Sequence, residues 1–451
     1  MTTTGKKQAN RLKFGENGPE TEGTAPSRRV RHSLVRGLPS GPAAVRSRAN
    51  RRPHPRFIKR IAVPLRLAAL PSGRVCRDWA GVLKLNLEEA FRMPKIQYFL
   101  GGNTPQGFYS LYHELSDPAR FRAVYIVKGG PGSGKSTLMR RVGRHAQAAG
   151  LETVEVLCSG DPDSLDALMI PALGAALVDG TAPHVVEPQC PGVVERYIDL
   201  SGGYDRAGLQ PWKADIMAAT AEYQGHYKRV YRCLGAAGEL RRDMNELLDT
   251  ETVQHRLAKR AAGIISRELK KPGQESGTAS QRFISAVTHR GAVTLWETVE
   301  AQAERVYELA DSYGLAHHLL APILSAALAA GHDAVACPDP MAPDRLAHLI
   351  FPELSLAFVT STAEEPWPHH PYRRLRLDSM ADSDVYRANR PRLRFTRRVA
   401  AALLEEGVSG LAQAKAAHDR LERLYNPYVN FDAVNQTADA LADEVLALER
   451  A

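Results

Sequence analysis

The five cysteines of this 451-residue chain, at positions 76, 158, 190, 233 and 337, are odd in number and include no Cys-x-x-Cys pair. That spacing indicates neither a disulfide framework nor a zinc knuckle, and it suits a reducing compartment, expected to be the cytoplasm. Long apolar runs are also missing. A membrane-spanning helix needs about 20 consecutive apolar residues; the longest run here, around 319–331, is interrupted by Pro322 and reads as a buried helix. No membrane partner is expected. Nor is the composition extreme: with 44% hydrophobic and 24% charged residues the chain can bury a core, and its length suits two or three domains of roughly 100–200 residues.

Acidic residues are scarce in one place only. Residues 1–92 carry 20 Lys and Arg against 6 Asp and Glu, whereas 93–451 carries 39 against 44, so the formal charge of +9 belongs to the leader. The leader has runs such as Arg28-Arg29-Val30-Arg31, many Pro, Gly and Ser, and no sustained apolar period. Such a stretch cannot fold alone. It is expected to be a basic, disordered leader or an extension of the gene model, with Met93 as the true start. With the charge confined there, a nucleic-acid partner is not expected for the folded part.

What is present is a loop built for polyphosphate. The β-branched and aromatic run Val124-Tyr125-Ile126-Val127-Lys128 is followed by Gly129-Gly130-Pro131-Gly132-Ser133-Gly134-Lys135-Ser136-Thr137 and then by an amphipathic segment. This is G-x-x-x-x-G-K-[ST] between a strand and a helix: glycines let backbone N–H groups curl around phosphate oxygens at the positive end of the helix. Lys135 is expected to reach the β- and γ-phosphates, Ser136 to ligate Mg²⁺, and Thr137 to lie on the α-phosphate side. Residues 129–137 together form the expected nucleotide-binding set. A second Mg²⁺ ligand is expected in Asp179, which closes the apolar strand Ala175-Ala176-Leu177-Val178 on a neighbouring parallel strand.

The chain also repeats itself. Phe99, Thr104 and Gly107 recur as Phe283, Thr288 and Gly291 at an offset of 184, and 10 of the 21 positions from 162 to 182 recur at an offset of 181, including Pro162-Asp163, Pro171 and Thr181-Ala182. Between these anchors an offset of 182 sets Gly132 on Gly314, Lys135 on His317, Ser136 on His318 and Gly129 on Asp311. The second loop therefore lacks the ammonium and the hydroxyl, gains a carboxylate, and is not expected to bind nucleotide. Asp179 becomes Thr360, Asp161 becomes Ala342, Asp166 becomes Ala347 and His184 becomes Glu365. Loss of these groups together with the lysine marks Asp161, Asp166 and His184 as catalytic candidates, for water positioning or substrate contact, beside Lys135 and Asp179. Adjacent histidines at 317–318 and 369–370 lack cysteine or carboxylate company in sequence and are not expected to hold a metal. Arg290, Arg373, Arg374 and Arg376 read as a solvated face rather than as an arginine finger.

Residues 213–271 read as two helices, followed by a Gly, Ser and Gln linker over 272–280; Phe395–Leu404, Leu411–Leu424 and Asp432–Leu448 again read as helical, with Asn426-Pro427 as a turn. The expected organisation is a leader at 1–92, a nucleotide-binding unit at 93–210, a helical hairpin and linker at 211–281, a degenerate unit at 282–380 and a helical region at 381–451. Residues 101–104, 107–110, 128–139, 161–166 and 178–184 resemble an uncharacterised family of bacterial tandem P-loop ATPases, with similarity over roughly 93–451. The resemblance implies an α/β fold of tandem P-loop NTPase-like units with parallel sheets, each followed by a helical appendage, and ATP as the ligand. It carries no assigned substrate. Taken together, the expectation is a Mg²⁺-dependent ATPase with one active and one degenerate site. A small-molecule phosphotransferase and a slow-turnover nucleotide switch are the alternatives, the switch because Gly180 rather than Glu follows Asp179, and homo-oligomerisation is left open.

Overall fold

A computed structural model describes residues 95–183, 185–269 and 276–448. The readings made of the leader, of His184 and of linker positions 272–275 lie outside the described residues. No described helix is long and apolar enough to cross a membrane.

Two six-stranded sheets carry the chain, each accompanied by helices. The first unit runs β1 (Ile96–Phe99), β2 (Gly101–Thr104), β3 (Gly107–Ser110), β4 (Ala123–Lys128), α1 (Lys135–Ala148), β5 (Val154–Leu157), β6 (Leu165–Ile170), β7 (Ala175–Asp179) and β8 (Glu195–Asp199). Three helices follow: the short α2 (Arg206–Leu209), α3 (Lys213–Leu248) and α4 (Glu251–Glu268). The second unit runs β9 (Ala279–Gln281), β10 (Ser285–Thr288), β11 (Gly291–Thr294), α5 (Trp296–Gln302), β12 (Arg305–Ala310), α6 (Ala316–Ala329), β13 (Ala334–Asp339), β14 (Ala342–Phe351), β15 (Leu356–Ser361) and β16 (Arg373–Arg376), then α7 (Ser383–Tyr425) and α8 (Phe431–Ala447).

The two sheets share one strand order. The first is β1-β5-β6-β7-β4-β8 and the second β9-β13-β14-β15-β12-β16. Neither is wholly parallel: β6 and β14 run antiparallel to both neighbours, while the remaining pairings are parallel. The expected all-parallel sheets are corrected on this point, because β6 joins β7 through the tight turn at Pro171–Leu173, too short for a crossover. The β2–β3 and β10–β11 hairpins also match. Thr104 and Thr288 each donate a hydroxyl hydrogen bond to the carbonyl of a glycine three residues on, Gly107 and Gly291, whose φ angles of +106° and +107° favour glycine. Phe99 and Phe283, equivalent in the two units, exchange backbone hydrogen bonds with each other at 2.8 and 2.9 Å. The two units therefore meet through equivalent residues.

Two sequence expectations change. Residues 279–281 of the expected linker form edge strand β9, paired with β13. The buried helix expected around 319–331 is present as α6, which passes through Pro322. The two helices expected at 395–404 and 411–424 are one helix, α7, continuous through Gly407 and Gly410. Those glycines sit where α7 crosses α3: a Cβ at Gly410 would stand 2.8 Å from Val230, and one at Gly407 3.0 Å from Leu234. Packing against a buried neighbour offsets the roughly 1 kcal/mol that each glycine costs a helix.

The helical appendages are exchanged between units. α8, at the end of the second unit, packs on α1 of the first, and its Val434, Ala438, Leu441, Ala442 and Val445 are buried in the first sheet's core. α4 reciprocally packs on α6, with Val253, Leu257, Ala261 and Ile264 in the second core. α3 and α7 pack along each other between them.

One buried histidine gives a pH signature. His348 accepts a hydrogen bond from Thr360 N at Nδ1 and shares one with Ser285 Oγ at Nε2, both 3.1 Å, and burial pushes its pKa down to about 4. The unfolded chain takes up this proton near pH 6.5 and the folded chain only near pH 4, so the stability is complete above pH 6.5 and is lost on acidification through that window. The expected slope is up to about 1.4 kcal/mol per pH unit. Urea midpoints measured between pH 7 and 4 should fall less steeply for His348→Gln than for the natural chain; identical slopes would assign the acid sensitivity elsewhere.

Candidate functional site

β4 ends at Lys128, and the chain turns through 129–134 into α1 at the carboxyl edge of the first sheet. Gly132 and Gly134 have φ angles of +68° and +86°, which glycine adopts without the strain a Cβ would bring. Gly129 and Gly130 permit close approach: a Cβ on either would stand 2.5 Å from Ser133 Oγ or 2.8 Å from the Tyr204 hydroxyl. Lys135 opens α1 and folds back over the loop, donating to the carbonyls of Gly129 and Gly130 at 2.9 and 3.0 Å. Its ammonium lies 3.7 Å from Asp179 Oδ2.

Asp179 reaches this place because β7 lies beside β4 in register, Val127 opposite Asp179. Its Oδ1 accepts hydrogen bonds from the backbone N–H of Thr181, at 2.8 Å, and from the Thr181 hydroxyl. Ser136 Oγ accepts from Leu165 N at 2.9 Å. Beneath them Asp166 is buried and accepts the Tyr112 hydroxyl at 2.7 Å; burial first and Asp166 second push the Tyr112 pKa well up. Burial does the same to the Cys158 thiol, again helped by Asp166. Asp161 is held by Lys415 at 3.4 Å. Burial opposes the Lys415 charge, but Asp419 and Asp161 outweigh it and raise its pKa.

Residues 129–137, Asp161, Asp166 and Asp179 line one cavity of about 580 Å³. Its remaining walls were not anticipated. Thr220, Tyr223 and Gln224 come from α3, and His418, Leu421, Glu422, Tyr425, Asn426 and Phe431 come from α7 and its junction with α8. The second unit's appendage thus roofs the first unit's loop. The Asn426 carboxamide, its nitrogen turned to the loop, donates to Gly132 O at 3.3 Å and Glu422 O at 3.2 Å. Asn245, 181 residues earlier, does the same in the sister unit, donating to Tyr313 O at 2.8 Å and Gly314 O at 3.1 Å. That repeat of an asparagine at a known offset, with Leu421 repeating Leu240 at the same offset, was the sequence signal available for the roof.

The sister loop is plugged by its own side chain. Asp311, in the place of Gly129, is buried and accepts the N–H groups of Tyr313 at 3.0 Å and Ala316 at 2.7 Å. The carboxylate, expected from sequence to repel phosphate, thus occupies the N–H groups themselves. Burial raises its pKa against these hydrogen bonds. The alignment of the loops also shifts. α1 begins at Lys135 and α6 at Ala316, and His317 Nδ1 accepts from Leu346 N at 3.1 Å as Ser136 Oγ accepts from Leu165 N. His317 therefore stands where Ser136 stands, not Lys135, and Ala316 replaces the lysine: the second loop is one residue shorter, and only one positive-φ glycine, Gly314, remains.

The paired histidines do have carboxylate company, contrary to the sequence reading: His318 meets Asp249 at 2.7 Å, and His369 meets Glu300. Among the described residues the three side chains disposed closely enough for a metal are His418, Asp419 and Glu422. Arg290 pairs with Asp163, and Arg374 with Glu308, so neither enters the cavity. No family model matches the chain, and no curated protein or solved structure matches it either.

Proposed function

We propose that the cavity at 129–137 binds a nucleoside triphosphate with Mg²⁺, and that the chain is a P-loop ATPase with one working and one degenerate site. The observation that carries this reading is the sister loop. There an oxyanion, the Asp311 carboxylate, sits on the backbone N–H groups at the start of the helix. In the first loop Gly129, which carries no carboxylate, takes that position, and the cation Lys135 is added at the start of α1. A turn that binds a carboxylate in one copy suits a phosphate in the other.

The donor set fits the metal as well: a hydroxyl at Ser136 and a carboxylate at Asp179, oxygen ligands of the kind Mg²⁺ takes. Bound there, Mg²⁺ would supply neutralisation of phosphate charge. The chain's own residues would do the rest. Lys135 holds the β- and γ-phosphate oxygens as a point charge, loop N–H groups fix the chain of phosphates, and Tyr223, Tyr425 and Phe431 restrict water around the transferring group. Attack of a positioned water on the γ-phosphorus breaks the bond to the bridging oxygen and releases inorganic phosphate and the diphosphate.

Phosphate release by the full chain with ATP and with GTP tests this. Asp179→Asn is expected to lower turnover about 100-fold or more while nucleotide binding at high concentration persists. Unaltered turnover would remove Asp179 from the site, and absence of ATP binding by the natural chain would sink the reading. A slow-turnover switch is the second reading. Gly180 follows Asp179, and the other carboxylates lining the cavity are engaged, Asp161 by Lys415, Asp166 by Tyr112 and Glu422 by His418 at 3.8 Å. Tight ATP binding with phosphate release near background would favour it.

A further inference from the structure

A second cavity, of about 490 Å³, lies on the second unit between α4 and the edge strand β16. Arg256, Lys259, Arg260 and Arg267 project from one exposed stripe of α4, and Arg373 faces them from the strand. The floor is apolar, made by Ile264, Leu375 and Met380, with the Tyr307 ring beneath. Arg267 is already engaged by Glu268 at 3.0 Å and by the Tyr307 hydroxyl at 2.8 Å. Arg256 donates to Met380 O at 3.0 Å, and Arg373 lies 5.5 Å from the Tyr372 ring centre. Among the described residues Arg256, Lys259, Arg260 and Arg373 form no ion pair. Five cations converge on one hollow, in a part of the chain that carries more acid than base.

The sister unit shows that this is a particular construction. The buried faces of α4 and α8 superpose at an offset of 181: Val253 on Val434, Leu257 on Ala438, Ala261 on Ala442 and Ile264 on Val445. By strand register Arg196 takes the place of Arg373, and Tyr125 that of Tyr307. In the first unit Glu444 bridges the groove, pairing with Arg196 at 2.7 Å and accepting from the Tyr125 hydroxyl at 3.1 Å. In the second unit Gly263 stands where Glu444 stands, so Arg373 has lost its carboxylate. Arg256, Lys259 and Arg260 stand where the first unit has Thr437, Ala440 and Leu441. One anion has been removed and three cations added at the same groove.

We propose that this cavity binds a compact, multiply charged phosphorylated ligand of about nucleotide size, separately from the loop at 129–137. Its volume is that of a small-molecule pocket. Arginine forks supply paired donors for phosphate oxygens, Lys259 a point charge, and the floor of Ile264, Leu375 and Met380 an apolar seat for the body of the ligand. Because Gly263 carries no side chain, the ligand's anion can meet Arg373 as Glu444 meets Arg196 in the sister groove, while the Tyr307 hydroxyl is already donated to Glu268.

The test is calorimetric titration of the full chain with inorganic tripolyphosphate. It is run on the natural protein, on Lys135→Ala, and on Lys135→Ala combined with Lys259→Glu and Arg260→Glu. Lys135→Ala is expected to retain one tripolyphosphate site, and the added charge reversals to weaken it at least about tenfold with an unchanged melting temperature, since both side chains are exposed. No binding to Lys135→Ala, or binding indifferent to the reversals, would overturn the proposal. Failure of the loop reading looks different: the natural protein and Lys135→Ala would then bind alike, both still sensitive to the reversals. Single-stranded oligonucleotide binding through these residues, with none of tripolyphosphate, would overturn a compact ligand in favour of an extended strand.

Discussion

Lys135→Ala is expected to weaken ATP binding about 100-fold, whereas His317→Ala leaves it within about twofold. The ammonium makes charge-assisted contacts that contribute roughly 1.5–3 kcal/mol each, and 2.7 kcal/mol is a factor of about 100 in affinity. In the free protein it bonds to Gly129 O and Gly130 O and lies 3.7 Å from Asp179, so the loop already holds it at the cavity mouth. His317, by contrast, sits at the start of α6 with its ring bonded to Leu346 N. The loop before it is closed by Asp311. Burial first, then the neighbouring His318 and Arg345, lower the His317 pKa, so at neutral pH it offers no cation in place of the lysine. Fluorescent-nucleotide titration with a melting control for each variant decides the matter; equal losses from the two substitutions would end the asymmetric model.

Ala442→Asp and Ala261→Asp are expected to destabilise the chain by about 3 kcal/mol or more, each in the unit to which its helix has been lent. Both alanines are buried, and an unpaired carboxylate there has no partner to offset its lost hydration. Ala442 belongs to the last helix of the chain yet lies in the core beneath the first sheet, and Ala261 lies in the core of the second. Hydrogen exchange should therefore show Ala442→Asp lowering protection in Ala123–Lys128, Lys135–Ala148 and Ala175–Asp179, some 300 residues before the substitution. Ala261→Asp should expose Arg305–Ala310, Ala316–Ala329 and Leu356–Ser361. The opposite pattern, each substitution loosening the unit it follows in sequence, would refute the exchange. The first substitution should also cost nucleotide affinity, because α8 begins at Phe431 in the cavity wall.

The loop was legible because its determinants are local. Glycines that adopt positive φ, a lysine at the first helical position and a β-branched strand before it lie within about fifteen consecutive residues, and neighbours in sequence fix one another's backbone. Asp179 was legible for a related reason: a hydrophobic strand ending in a carboxylate, compared with a sister strand that lacks it. The pairing of the loops was one residue out. Sequence identity around Gly132 and Gly314 favours an offset of 182, while the helix that follows keeps 181, and only the start of each helix shows where the residue is missing. α7 was read as two helices because Gly407 and Gly410 weaken local propensity, and the packing against Val230 and Leu234 that overrides it comes from 173 to 180 residues earlier in the chain.

The amino-acid order alone therefore determined the glycine-rich loop between strand and helix, its carboxylate neighbour, the doubling of the unit and the loss of the lysine from the second copy. These follow from backbone freedom, charge and periodicity over short stretches. Only the tertiary structure decided that each unit is covered by the other's last helix, that Tyr425 at the end of α7 and Asn426 after it roof the first loop, that Asp311 stoppers the second, and that a groove bridged by the Glu444–Arg196 pair in one unit gathers cations in the other. An amphipathic helix specifies that it must bury a face, but any apolar surface of matching shape can receive it. Which surface does so depends on the packing of α3 against α7 and on the close approach that Gly407 and Gly410 allow, and no single segment contains that information.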